Sequence, residues 1–215
     1  MKLVALAGCA VFFSLAGGLA GPAKAQIASF YSELDTGKDC AFSPLEGLSE
    51  QEKDELLGNT AVCEGLPNYP VYFAESDLRQ FVAYGGEKPE GAWPGGFGQF
   101  NHVGATIEWR TKGGRPFATI LRWFIENANP QTGSPEAAFT GQVLVISTVA
   151  QPSAAGGSKK SCPAGYVDTK SNADANDLAR EVADAIAAEF VCGIDRPRFH
   201  GKRGPLSGDP QDLLE

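Results

Sequence analysis

The chain has 215 residues, 18 basic side chains against 26 acidic ones, and a net charge of −8. That balance excludes a nucleic-acid binder built on a broad basic face. The length fits one domain with a core large enough to fold alone, not an array of modules.

Lys2 precedes an apolar run from Leu3 to Leu19, and Ala23-Lys24-Ala25 is a small-x-small cleavage site ahead of Gln26. Residues 1–25 are therefore expected to be a signal peptide, placing the product in the periplasm or outside the cell. Leu6-Ala7-Gly8-Cys9 has the look of a lipoprotein box, but most of the apolar run follows it instead of preceding it. A retained anchor fits poorly, because Gly17 and Gly18 break a run already shorter than the roughly 20 residues a spanning helix needs. Without residues 1–25 the net charge is −10, and no further apolar run is long enough to be an integral membrane segment. Residues 26–195 then read as a single domain and 196–215, rich in Gly, Pro and charge, as a flexible tail.

Cys40, Cys63, Cys162 and Cys192 remain after cleavage, an even number that favours two disulfides in an oxidising compartment. Three connectivities are open. Cys40–Cys63 and Cys162–Cys192 are preferred, since each pair brackets its own predicted helix. Zinc is disfavoured, for there is no Cys-x-x-Cys and there are only two histidines. No metal and no cofactor is expected.

In chain order, a short strand is expected near Phe30–Leu34. Ser49 with Glu52 forms a capping box for a helix over about 50–57, ended by Gly58. Tyr69–Ala74 and Leu78–Tyr84 are aromatic and β-branched, with Glu75-Ser76-Asp77 as the turn between them. Thr106–Arg110 alternates, Gly113-Gly114 marks a hairpin, and Phe117–Ile125 follows. In that segment Phe117, Leu121, Trp123 and Ile125 share one face, while Ala118, Ile120, Phe124 and Arg122 share the other. Val143–Val149 is apolar on both faces as well. Such strands belong in the middle of a sheet covered on both sides, or in a small barrel. Asn172 or Asp174 opens the last helix, in which Leu178, Val182, Ile186 and Phe190 form an apolar stripe, with Arg180, Glu181 and Asp184 opposite. The fold class is α+β: an antiparallel sheet of about five strands, open or barrel-like, with a long C-terminal helix packed on it and disulfides stapling both.

The pattern Tyr31…Cys40…Cys63-Glu-Gly…Pro70-Val-Tyr-Phe-Ala-Glu-Ser-Asp-Leu-Arg79…Gly85 resembles a group of small exported proteins of alphaproteobacteria. So do Ile107-Glu-Trp-Arg110, Gly114-Arg-Pro-Phe-Ala-Thr-Ile-Leu-Arg-Trp123, and Gly165-Tyr-Val-Asp168 followed by Asn172, Asn176 and Ala179-Arg180. The likeness runs to about residue 197. It implies an exported bacterial domain and carries over no activity and no site.

No catalytic residue is assigned. A serine hydrolase would need an activated Ser with a His base, and there is no Gly-x-Ser-x-Gly elbow. Glu75, Asp77 and Glu108 are the carboxylates that a hydrolase would use, but nothing sets them apart from those of any acidic surface, and Asp77 suits its own turn. Asp168-x-Lys-x-Asn172-x-Asp174 resembles a calcium loop, yet Lys170 stands where an oxygen ligand belongs. It reads better as a strand end followed by a helix start. Arg196, Arg198, His200, Lys202 and Arg203 form a basic segment that would meet anionic polymers or simply be solvated.

Gly85–Gly104 invites a functional reading. It holds seven glycines and two prolines, with Trp93, Phe97, Phe100, Asn101 and His102. Such rings would stack on sugars or grip a peptide, or else tuck under the loop onto the sheet. The expected function is that of an exported, non-enzymatic module whose partner is a protein or an envelope polymer. An envelope hydrolase and a structural envelope protein are the alternatives.

Overall fold

The computed structural model describes residues 25–44, 49, 59–86, 88, 89, 93–152 and 160–211. The leader before residue 25 and the expected 50–57 helix lie outside these residues. Among them are ten strands: β1 (Ile27–Glu33), β2 (Cys40–Phe42), β3 (Asn59–Leu66), β4 (Tyr69–Ser76), β5 (Arg79–Tyr84), β6 (Phe100–Lys112), β7 (Arg115–Ala128), β8 (Pro135–Thr148), β9 (Pro163–Asp168) and β10 (Arg198–Phe199). They form a six-stranded sheet, β1-β6-β7-β8-β9-β10, and a four-stranded sheet, β2-β3-β4-β5. Every neighbouring pair is antiparallel except the parallel β9–β10.

The sheets stack face to face. Ile107, Trp109, Leu121, Trp123, Ile125 and Val143 meet Val71, Phe73, Val82 and Tyr84 in one core. On the large sheet's outer face, Ala118, Ile120, Leu144, Ile146 and Val167 are covered by α1 (Ala175–Val182) and its wider, π-helical continuation over Ala183–Ala187. β7 and β8 are thus apolar on both faces over the stretch that the helix covers. Phe117 is the exception, packing on the helix side.

Three expectations about architecture are corrected. The sheets remain open, with β1 and β10 at the edges of one and β2 and β5 at the edges of the other, so there is no closed barrel. Strands number ten among the described residues, about twice the expected five, because the short or Gly- and Pro-containing β2, β3, β9 and β10 show no clear alternation. The helix is short, not long. Its buried residues are Ala175, Ala179, Val182, Ala183 and Ala187; small side chains let the helix approach the sheet, while Leu178 and Ile186 sit half-buried at its flanks.

Gly113 and Gly114 take φ of 60° and 79° and turn β6 into β7. The β4–β5 turn falls on Asp77-Leu78, at φ 49° and 58°, a two-residue left-handed turn without glycine. Arg79 stabilises it by donating to both the Asp77 carboxylate and the Asp77 carbonyl. Both preferred disulfides are present, Cys40–Cys63 and Cys162–Cys192. Cys40 lies directly opposite Cys63 on β2 and β3. The second bridge ties the approach to β9 to the segment after α1.

The segment from residue 196 to 211 is packed, which corrects the expected flexible tail. Arg198–Phe199 joins β9, Ser207 is buried, and residues 204–211 close the end of the sandwich. Its hydrogen bonds come from distant residues: Gly204 N–H donates to Asp168 Oδ2 (2.7 Å), Asn127 Nδ2 donates to the Leu206 carbonyl (2.9 Å), and Gly98 N–H donates to the Asp209 carbonyl (2.9 Å).

Candidate functional site

The Gly85–Gly104 stretch is divided by the fold. Trp93 is buried on the outer face of the small sheet with Tyr72, Ala74, Phe81 and Ala83. Phe97 lies between the sheets, its ring 5.7 Å from Trp123 and 6.0 Å from Tyr166. Gly96, at φ 115°, has no room for a side chain, since a Cβ would sit 2.6 Å from the Phe81 ring. From Phe100 onward the chain is β6, not loop. Phe100 is half-buried under the Arg79 guanidinium, 4.9 Å from its ring centre. Asn101 is buried, accepting from Gln80 N–H (3.1 Å) and donating to the Gln99 carbonyl (3.0 Å). Of the two readings of this stretch, rings free for a ligand or tucked under the loop onto the sheet, Trp93 and Phe97 take the second, each anchoring the loop to a sheet, which corrects both as candidate binding residues. Trp93→Ala and Phe97→Ala should each cost about 3–5 kcal/mol of stability, while His102→Ala should change it by under about 0.5 kcal/mol. Urea unfolding of the three variants checks this.

His102 alone among those five residues stands exposed. Its ring stacks on Phe124 at 4.8 Å and 11°, and Nδ1 lies 3.4 Å from Glu126 Oε1. Pairing places His102 opposite Phe124, and Phe124 opposite Gln142, across β6, β7 and β8. Arg122 donates to Gln142 Oε1 (3.0 Å), and Thr140 Oγ1 donates to Glu126 Oε2 (3.1 Å). α1 covers the other half of this face, over Ala118, Ile120, Leu144 and Ile146. β1 ends opposite Thr106, and beyond it the β6 edge flanking His102 is bonded by the Leu78 carbonyl to Asn101 N–H and by Gln80 Oε1 to Val103 N–H. The result is an open strip of rings, amide, guanidinium and carboxylate carried on rigid strands.

Sequence alternation already put Phe124 and Arg122 on one face. It did not supply Gln142, Glu126 or the His102 stack, since those follow from strand pairing and not from any local pattern.

The remaining polar groups of interest are committed to structure. Beneath α1, Glu108 accepts from Arg180 Nε (2.8 Å) and from Ser29. Arg110 forks onto Asp184 through Nε–Oδ1 (2.8 Å) and Nη2–Oδ2, and Arg180 also bonds Asp177 (2.8 Å). Hydrogen bonding to Asp184 pushes the Arg110 pKa up, and hydrogen bonding to Glu108 does the same for Arg180. Arg180 and Asp184, expected on the solvent side of the helix, instead clamp it to the sheet. Glu75 accepts from Gln80 Nε2 (2.6 Å) across the β4–β5 hairpin.

Asp168 holds a turn, accepting from the N–H groups of Lys170, Ser171 and Gly204 and from the Ser171 hydroxyl. Asn172 donates to the Asp168 and Lys202 carbonyls, and the Asp174 side chain makes no cap bond. In the basic segment, Arg203 lies over the Phe199 ring and bonds the Gly208 carbonyl and Asp209. Among the described residues no three His, Cys, Asp or Glu side chains gather as a metal site, and no helix is long and apolar enough to cross a membrane. Comparison with protein-family models, with curated proteins and with solved structures returned no match to this chain.

Proposed function

We propose that this chain is an exported module, processed after Ala25, that binds a protein or envelope polymer and does no chemistry on it. Its motifs group it with the small exported alphaproteobacterial proteins that they resemble. The observation that carries the reading is the His102–Phe124 stack, exposed at His102 and half-buried at Phe124 among the described residues, with Arg122, Glu126 and Gln142 beside it. Rings next to hydrogen-bonding groups suit a polyhydroxylated polymer, to which they offer an apolar face and polar edges at once. Strands in a two-sheet frame with two disulfides hold these groups in place, so little ordering cost opposes binding. The hydrolase alternative has less support, because Glu75, Asp77, Glu108 and Asp168 each serve a turn, a hairpin or the helix clamp.

The test is capture of the chain by insoluble envelope polymer and by envelope extract. His102→Ala with Arg122→Glu should reduce capture about tenfold or more while leaving the fold intact. Undiminished capture by the folded double variant would remove the strip as the binding surface.

A further inference from the structure

We infer that two copies of this chain join through β1, merging their six-stranded sheets into one continuous sheet across a two-fold axis. This goes beyond the binding reading and uses a different surface, since β1 stops short of His102.

β1 is the bare edge of the large sheet: among the described residues it pairs with β6 alone. The other edges are handled. β2 has three residues and β10 two. β5 is crossed by other segments, with Asn101 N–H donating to the Leu78 carbonyl, Asn101 Oδ1 accepting from Gln80 N–H, Ala150 N–H donating to the Tyr84 carbonyl, and Ser161 Oγ accepting from Tyr84 N–H. Exposed edges normally carry a lysine, a proline or a bulge that blocks pairing. β1 carries none of these. It reads Ile-Ala-Ser-Phe-Tyr-Ser-Glu over an unbroken register from Ile27↔Lys112 to Glu33↔Thr106.

The ladder also shows which groups are free. The Gln26 carbonyl accepts from Gly113 N–H and Leu34 N–H donates to the Ala105 carbonyl. In an antiparallel pair the bonded residues alternate, so the even-numbered residues face β6. Ile27, Ser29, Tyr31 and Glu33 therefore turn their N–H and C=O groups outward. That set is symmetric about Phe30. An antiparallel second copy centred there pairs residue 27 with 33 and 29 with 31, and every outward group meets a partner. Glu33, the single charge in the strand, falls opposite Ile27 of the second copy and not opposite itself, so this acidic chain places no like charges across the seam.

Apolar surface remains on both faces of this edge: Phe30, beside Trp109 on the inner face, is 50% exposed, and Tyr31, beside Glu108 on the helix side, is 56% exposed. β3 lies against β1 in the sandwich. At the axis the two Phe30 residues would form a non-hydrogen-bonded pair, the closer of the two cross-strand spacings.

Sedimentation velocity on the protein as processed by its host tests the inference. A dimer is expected. Tyr31→Pro removes one outward N–H and spares the β6 ladder, and Phe30→Glu sets like charges at the axis. Each should weaken dimerisation about 30-fold or more, with unchanged near-UV circular dichroism. If Tyr31→Pro fails to fold, Phe30→Glu decides alone. A wild-type monomer up to about 100 μM, or a dimer indifferent to the substitutions, overturns the inference. A monomer whose β1 takes up a strand from another protein counts equally against it.

Discussion

Gly141→Ala is expected to cost about 3 kcal/mol of stability, the upper range for forcing extra volume into a packed site. A Cβ at this position on β8 would lie 1.8 Å from the Leu206 carbonyl oxygen and 2.8 Å from its carbon. The obstacle is backbone, and Asn127 Nδ2 holds that same carbonyl at 2.9 Å, so it cannot step aside cheaply. The closing segment should therefore be driven off the sandwich end, uncovering Phe97 and Ile125, both fully buried. A double-mutant cycle separates this from a local β8 defect. Deleting residues 204–215 should by itself destabilise, and Gly141→Ala in that shortened chain should then cost nearly nothing. Additive losses in urea unfolding would show that Leu206 is not what Gly141 makes room for.

The same segment brings an acid sensitivity. His200 Nε2 is shut away from solvent with no partner among the described residues. Burial, helped by Arg198, pushes its pKa below the usual 6.5. A histidine lowered in the folded state stabilises above its unfolded value, and that contribution is lost as pH falls through the folded one. Docking of the segment should thus loosen on the acid side of 6.5.

Glu108→Ala is expected to cost about 2–3 kcal/mol, because it removes the buried carboxylate that Arg180 Nε and Ser29 bond, while Arg110 keeps Asp184 and Arg180 keeps Asp177. Glu108 and Arg110 are both buried, and with Arg180, Asp184, Asp177 and Ser29 they bridge β1, β6 and α1. The loss should persist at high salt, since buried pairs are poorly screened. Hydrogen exchange should locate it, with protection falling first in α1. A urea midpoint for Glu108→Ala within about 1 kcal/mol of wild type would make the cluster a surface ornament and not a clamp.

How much of this was legible beforehand differs from element to element. Val143–Val149 and Phe117–Ile125 announced strands covered on both sides, since two-sided apolar strands belong inside a covered sheet or a small barrel. Gly113-Gly114 was an equally local signal, whereas the disulfides join cysteines 23 and 30 residues apart. The helix was misjudged in length and in facing. A periodicity of large residues says which side is apolar, but Ala175, Ala179 and Ala183 decide how closely α1 seats, and Glu108 decides where Arg180 points.

The candidate site was only partly legible for the same reason. His102 was singled out from its glycine-rich surroundings, yet its stack on Phe124 depends on the β6–β7 register. Trp93 and Phe97 could equally have faced water or the sheets until Phe81, Trp123 and Tyr166 were placed. The C-terminal segment reads as flexible because its own residues offer it little; Gln99 Oε1 accepts from Asp209 N–H across 110 positions of chain.

Sequence alone pointed to antiparallel strands, to the hairpin at Gly113-Gly114 and to strands apolar on both faces. These depend on neighbours within a few residues, where backbone sterics and hydrophobic alternation act directly. Tertiary structure decided that the sheets stay open, that two aromatic residues of the loop are core, that residues 204–211 close the sandwich, and that β1 pairs with β6 alone among the described residues. Each of these depends on hydrogen bonds and packing between segments far apart in the chain, which only the folded arrangement brings together.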